Sequence, residues 1–82
     1  MKFEDIEKIL YEVEKIEKHI EVLENYNKFI SKEIKREKEN VDYVKVLKCC
    51  RSSNYSNIRT CKTYILKYNE KLKEMYNERG CN

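Results

Sequence analysis

The chain of 82 residues contains no proline, no tryptophan and no alanine, and its single glycine is Gly80. Because proline and glycine are the residues that most often interrupt helices, their scarcity favours long helices over a turn-rich sheet protein. One glycine also excludes the glycine-rich loops that cradle nucleotide phosphates. We therefore predict an all-α protein. Charged residues make up 40% of the chain, and most of them are the good helix formers Lys, Arg and Glu.

Groups that carry catalysis are scarce as well. His19 is the only histidine. No residue around it has the Glu-x-x-His or His-x-x-x-His spacing that places metal ligands on one helix face. The carboxylates of the amino-terminal third are distributed around a solvated helix. We expect a protein that binds rather than catalyses, with no enzyme activity, no cofactor, no metal and no small-molecule substrate.

Four cysteines leave a zinc site or disulfides open as alternatives. Cys49, Cys50 and Cys61 lie on either side of a predicted turn and would approach one another in a hairpin, whereas Cys81 lies near the carboxyl end. The Cys-x-x-Cys spacing that lets two thiolates grip one zinc ion is missing. We therefore favour free thiols.

Long apolar runs are also missing. No segment is apolar enough for a signal peptide or a membrane span, and the first predicted helical turn carries Glu4 and Asp5. Cysteines without a secretory signal are expected to stay reduced. These features predict a cytoplasmic protein with no membrane contact.

An alternation of three and four residues between aliphatic side chains is the strongest pattern in the chain. Such spacing keeps one stripe of a helix against a neighbouring helix, as in a coiled coil. Ten of the twelve positions are aliphatic, and Asn27 and Glu37 are the exceptions. In heptad notation the a positions are Ile6, Val13, Ile20, Asn27, Ile34 and Val41, and the d positions are Ile9, Ile16, Leu23, Ile30, Glu37 and Val44.

This pattern predicts a first helix over residues 3–40, followed by a kink or a short helix over 41–50. The polar run from Arg51 to Asn57 is rich in capping and turn residues and predicts a turn at 51–56. Residues 1–82 are thus predicted as one domain, a long amphipathic helix with a shorter antiparallel helix, in a helical hairpin or a three-helix arrangement. The second helix is expected over 57–79, where the spacing recurs at Ile58, Cys61, Ile65, Tyr68, Leu72 and Met75.

A second helix of that length covers only the latter half of the first, at about 1.5 Å per residue. The remaining stripe, here called the amino-terminal seam, would face water. The hydrophobic core of so small a domain provides little stability, so exposure of these aliphatic side chains is unfavourable. The seam must therefore pair with a second copy, with a partner, or with its own chain through a bend near residue 40. We favour a homo-oligomer, with a dimer as its form and a parallel or antiparallel orientation left open. Asn27 either sets the register of a parallel dimer or lies in water at the end of the overlap. The seam residues are Ile6, Ile9, Val13, Ile16, Ile20 and Leu23.

Charge is unevenly distributed along the chain. Residues 1–27 carry four lysines against eight acids, whereas residues 43–73 carry six lysines and two arginines against Glu70 alone. We expect several of these cations to converge at the hairpin tip, where they would neutralise phosphates or meet an acidic protein surface, unless they form only a solvated face. This basic tip comprises Lys45, Lys48, Arg51, Tyr55, Arg59 and Lys62.

A second apolar feature lies outside the heptad stripe. Val22, Tyr26 and Phe29, here called the aromatic strip, are spaced by four and three residues and so share another side of the first helix. One alternative is that the second helix or a bundle neighbour covers them. The other is that they dock on a partner in the helix-in-groove mode.

Together these features predict a non-catalytic helical module that binds a protein or a protein–nucleic-acid complex as a small inhibitor or adaptor. Heavy use of Lys, Asn, Ile and Tyr suggests an AT-rich coding sequence. A phage or mobile-element inhibitor of host defence, such as an anti-CRISPR protein, is therefore a concrete form of the hypothesis. One alternative is a nucleic-acid-binding regulator that uses residues 43–73, and another is an oligomerisation scaffold.

Overall fold

A computed structural model of the protein describes the backbone of residues 3–80 and the side-chain surroundings of residues 3–77. Two helices, α1 (Phe3–Arg36) and α2 (Val41–Gly80), run antiparallel and pack against each other. The molecule measures 65 × 15 × 12 Å, as expected for two long helices side by side. The predicted all-α helical hairpin is confirmed, and the described residues contain no strand.

One stripe on each helix forms the contact between them. In α1 the predicted a and d positions are buried or partly buried from Ile6 to Ile34. In α2 the same spacing runs without interruption from Val44 to Met75, but Val44 lies at an a position and not at the predicted d. Every other side chain of α2 up to Asn77 is exposed, including Val41, a predicted a position. Heptad spacing therefore describes both helices. The buried apolar residues are Ile6, Ile9, Ile20, Leu23, Ile30, Ile58, Leu72 and Met75.

The turn between the helices occupies residues 37–40, so α1 ends earlier than expected. Asn40 caps α2, because its Oδ1 accepts a hydrogen bond from the Tyr43 backbone N–H at 3.4 Å and its carbonyl accepts one from Val44 at 3.0 Å. Asp42 adds negative charge to the first turn, where the helix dipole favours it. The structure thus supplies a break near residue 40, whereas the turn predicted at 51–56 and the separate helix over 41–50 are wrong.

The run from Arg51 to Asn57 has the polar composition of a turn but is helical, and two of its polar residues face the other helix. Arg51 occupies an a position, and its Nη1 donates a hydrogen bond to Ser31 Oγ at 3.1 Å. Asn54 occupies a d position, and its Nδ2 donates to Asn27 Oδ1 at 2.9 Å. Since these inward-facing groups are satisfied and the remaining polar side chains face solvent, nothing in the run interrupts α2.

The amino-terminal seam is covered within the chain by way of the break near residue 40, which confirms one of the three options that the sequence left open. The favoured pairing with a second chain is not needed to cover it. Because the turn comes early, α2 is 40 residues long and returns along all of α1. One apolar cluster buries Ile6 and Ile9 near the open end, and another buries Ile20 and Leu23. Self-association stays a prediction, but an uncovered seam no longer supports it. The α2 members are Leu72 and Met75 in the first cluster and Ile58 in the second, with Val13, Ile16, Cys61, Ile65 and Tyr68 packed at the margins.

A polar layer adjoins the second cluster on the side of the turn. Asn27 is only 3% exposed. Besides accepting the hydrogen bond from Asn54, it donates from its Nδ2 to the Arg51 carbonyl at 3.4 Å. Asn27 therefore pairs the two helices of one chain. It neither sets the register of a parallel dimer nor lies in water at the end of the overlap, the two roles expected from the sequence. The pairing sets a register in which Leu23 lies level with Ile58, as their shared cluster requires.

Replacing Asn54 alone by leucine should destabilise the hairpin, because the buried Asn27 Oδ1 would lose its donor inside the seam. An unpaired buried polar group costs about 1–3 kcal/mol. The double variant Asn27→Leu/Asn54→Leu should recover this loss, since an apolar pair then fills the layer. Urea denaturation of both single variants and the double variant measures the coupling free energy, which we expect to exceed about 1 kcal/mol.

Asn57→Leu is the matched control, because Asn57 is exposed on α2. This substitution should change the free energy of unfolding by less than about 0.5 kcal/mol. Strictly additive effects of the two seam substitutions would show that the two amides do not act as a pair.

Candidate interaction surfaces

The aromatic strip of α1 is exposed to solvent. Val22, Tyr26 and Phe29 are 49%, 59% and 62% exposed, and they line a shallow depression with Asn25. The alternative in which the second helix covers the strip is therefore wrong. Because the seam is filled without these side chains, their apolar surface adds nothing to the core of the hairpin.

Two further apolar side chains lie on the same side of the hairpin in α2, nearer the turn, whereas Ser53 and Asn57 are the α2 residues level with the strip. In an antiparallel pair of heptad helices, the g positions of both helices lie on one side of the seam, with the c positions beside them. Two g residues show this directly, since Tyr43 donates a hydrogen bond from its hydroxyl to Glu33 Oε2 at 3.3 Å. On the same side, Cys50 at g and Val46 at c are both exposed. The apolar face thus comprises Val22, Tyr26, Phe29, Val46 and Cys50.

The α2 members of the apolar face were missed from the sequence. Nothing in the spacing of Val46 or Cys50 relates them to the strip on α1, because only the register between the helices brings them to the same side. The signal that could have found them is the α2 heptad itself, extended back from Ile58 to Val44.

Charged residues at the two ends of the strip are already paired. Towards the turn, Arg36 contacts Glu33, and its Nε lies 3.6 Å from Glu37 Oε1. Towards the open end, Lys15 Nζ lies 3.8 Å from Glu12 Oε1. The exposed pair of Lys15 with Glu12 contributes little to stability, whereas Glu33 is buried and its charge is compensated by Arg36. Because these charges are paired, the rim of the apolar face has little net charge. A partner would therefore bind this face mainly through apolar contacts.

The predicted basic tip is not a cluster. With the turn at 37–40, its residues lie along α2 from Lys45 to Lys62, a distance of about 25 Å at about 1.5 Å per residue. In the register that the asparagine pair shows, Arg59 and Lys62 lie level with Val22 and His19 in the acidic half of α1. The expectation that all six residues converge at the tip is therefore wrong.

Cations of both helices form a basic face in the half of the hairpin nearest the turn. Lys32 lies beside this face at f, and Arg51 reaches it from its a position, where it donates to Ser31. The other members, Lys28 and Lys35 of α1 and Lys45 and Lys48 of α2, lie at e and b positions on the side of the seam opposite the apolar face, with Lys35 level with the two α2 lysines. All four side chains are exposed. The basic face comprises Lys28, Lys32, Lys35, Lys45, Lys48 and Arg51.

Half-exposed Tyr55 marks the far end of the basic face, where it lines a shallow groove between the helices with Glu24 and Lys28. Sequence reasoning found the three α2 cations and Tyr55 but missed the three α1 lysines. Counting charges along the sequence does not show which residues of the two helices lie side by side. The sequence alone therefore gives no indication that the three α1 lysines belong to the basic face.

The cysteines are not brought together. Cys49 and Cys50 are exposed on the outside of α2, whereas Cys61 packs against the seam. Cys50 and Cys61 are eleven residues apart in one helix, which corresponds to about 17 Å. Among the described residues, no group of three or more His, Cys, Asp or Glu side chains could hold a metal ion. Cys81 lies outside the described residues.

The part of the chain that the structure describes contains no helix with the length and apolar character needed to cross a membrane. Comparison of the chain with known protein families, curated proteins and solved structures finds no match. The two faces of the hairpin are therefore the basis on which a function can be inferred.

Tyr43 connects the start of α2 to the apolar side of α1. Partial burial of its phenol raises the pKa of Tyr43 above the ordinary value, and the negative charge of Glu33 raises it further. The hydrogen bond to Glu33 and the charge of Glu37 act in the same direction, whereas Arg36 opposes them. The folded chain therefore favours the neutral phenol.

The raised pKa makes stability depend on pH in the alkaline range. The contribution of Tyr43 is complete below about pH 10, the ordinary pKa of tyrosine, and is lost as the pH rises through the higher pKa of the folded state. The free energy of unfolding should therefore fall more steeply above about pH 10 in the wild type than in Tyr43→Phe. Urea denaturation at a series of pH values measures both slopes.

Glu33→Gln provides the control, because it keeps a hydrogen-bond acceptor beside Tyr43 and removes the charge. An NMR titration of the Tyr43 ring should show a lower pKa in this variant than in the wild type. An identical Tyr43 pKa in the two proteins would rule out Glu33 as a cause of the shift.

Proposed function

We propose that this protein is a non-catalytic helical module that binds a protein partner through its apolar face, as a small inhibitor or adaptor of a macromolecular complex. The observation that carries the proposal is the exposure of Tyr26 and Phe29, although the seam is filled without them. Single exposed apolar residues are common on soluble proteins, but a group of them on one side of a rod marks an interaction site.

The chemistry of the apolar face suits a protein better than a small molecule. Aromatic side chains bury about 150–250 Å² each and are enriched among the residues that dominate interface energetics. Val22, Tyr26 and Phe29 follow one another at helical spacing, so they would enter an apolar groove as consecutive anchors of one helix. The depression between them is lined by one helix only, and it is too open to enclose a ligand.

Other parts of the proposal rest on the sequence. A single histidine without metal-ligand spacing and a single glycine provide no catalytic or phosphate-binding motif, which supports a non-catalytic role. Small size and the lysine- and asparagine-rich composition support the narrower proposal of a phage or mobile-element inhibitor of a host nucleic-acid-processing complex, such as an anti-CRISPR protein. The oligomerisation scaffold loses its main support, because α2 covers the seam that would have paired two chains.

The test begins with a pull-down from the native host, using tagged wild-type protein to identify a candidate partner. Binding of the purified partner is then measured by isothermal titration calorimetry. Tyr26→Ala/Phe29→Ala should weaken the affinity about 100-fold or more, because truncating an interface anchor of this kind costs about 2 kcal/mol or more.

Leu66→Ala/Tyr76→Ala is the matched control, since these side chains are 63% and 53% exposed on the other side of the seam. The control should bind within about twofold of the wild type, well below the tenfold that about 1.4 kcal/mol represents. Circular dichroism verifies that both variants remain helical. A partner that binds Tyr26→Ala/Phe29→Ala as tightly as the wild type would refute the proposed role of the apolar face.

A further inference from the structure

We propose that the basic face binds the phosphate backbone of duplex nucleic acid without regard to base sequence. This is a second binding surface, on the side of the hairpin opposite the apolar face, and it does not depend on the proposed protein partner. Three cations from each helix form it, and the α1 members lie outside the basic segment that the sequence indicated.

Apart from Glu24, which lines the groove with Lys28 at the far end, acidic side chains are absent from the rows of the basic face. From Lys28 to Lys35 in α1, and from Lys45 to Arg59 in α2, the e and b positions carry no acidic residue. Glu33 and Glu37 belong to the same half of the hairpin, but both are engaged with Arg36 near the apolar side. Like charges gathered in this way create a local positive potential that attracts a polyanion.

The dimensions of the basic face suit a duplex backbone. Each row of cations is about 10 Å long at about 1.5 Å per residue, and the two helix axes are about 8–10 Å apart. Duplex DNA carries one negative charge per about 1.7 Å of axis, so a face of this length meets about six charges. Lysines predominate, and their point charges on flexible stems follow phosphates without reading bases.

Two other polyanionic partners fit the basic face less well. Proteins that bind single strands stack successive bases on several aromatic side chains, whereas Tyr55 is the only aromatic residue at the e and b positions in this half. An acidic protein would be expected to add apolar anchors to its ion pairs. Between Lys45 and Arg59, the e and b positions carry only Lys48, Ser52 and Tyr55.

Fluorescence anisotropy with a labelled DNA duplex of random sequence tests the proposal. The affinity of the wild type should fall steeply between about 50 and 200 mM salt, because binding releases counterions. Lys35→Gln/Lys48→Gln should weaken binding about tenfold at low salt. This variant should also lower the slope of log K against log salt concentration by about 2, because each phosphate that a lysine neutralises contributes about 0.9 to that slope.

Lys67→Gln/Lys71→Gln removes the same charge from exposed c and g positions on the opposite side of α2. Its affinity for the duplex should stay within about twofold of the wild type, since every lysine and arginine of the basic face still neutralises its phosphate. Tyr26→Ala/Phe29→Ala should also bind the duplex normally, so failure of the apolar face and failure of the basic face are distinguishable.

Three results would overturn the proposal. The first is absence of duplex binding by the wild type at about 25 mM salt, where counterion release favours association most. The second is an equal loss of affinity in the two lysine variants, which would indicate attraction by net charge alone. The third is tighter binding of a single-stranded oligonucleotide or of polyglutamate than of the duplex. Thermal melts followed by circular dichroism establish that each variant is folded.

Discussion

The short turn at 37–40 and the hydrogen bond between Asn54 and Asn27 together fix how α2 lies along α1, and the surface of the protein follows from that alignment. Aliphatic side chains alone select a register weakly, because one isoleucine fills a layer about as well as another. A slip of one heptad would place Asn27 level with Leu47 or Cys61 and leave its amide unpaired in the seam. The cost of about 1–3 kcal/mol for an unpaired buried amide is enough to exclude these alternatives.

The same register divides the charge of the molecule into two unlike halves. Near the open end, the acids of α1 lie beside cations of α2 such as Lys62, and the charges offset one another. Near the turn, lysines of both helices lie side by side. Repulsion between exposed charges costs only a few tenths of a kcal/mol per pair. Burial of one isoleucine contributes about 1.5–3 kcal/mol, so the aliphatic seam holds the helices together and concentrates positive charge on one side.

What could be predicted from the sequence is what depends on near neighbours along the chain. The seam of α1, the stripe of α2 from Ile58 to Met75, and the separate side occupied by the aromatic strip all follow from helical spacing. The turn could not be placed in the same way. Arg51 and Asn54 look like turn residues until their partners on α1 are known, and those partners are 20 and 27 residues away. The favoured pairing of the seam with a second chain and the expected basic tip both follow from that single misplacement.

In a rod of two helices, exposure alone says little about function. No second layer exists to cover the outer positions, so geometry exposes nearly every residue outside a and d. The kind of residue at those positions is therefore what carries information. A charged side chain on a surface needs no special reason, whereas an exposed tyrosine or phenylalanine that adds nothing to the core does. For this reason the exposure of Tyr26 and Phe29 is evidence for a binding role even when each residue is considered alone. The lysines are evidence for one only as a group, because they carry the same charge and lie on the same side of the hairpin.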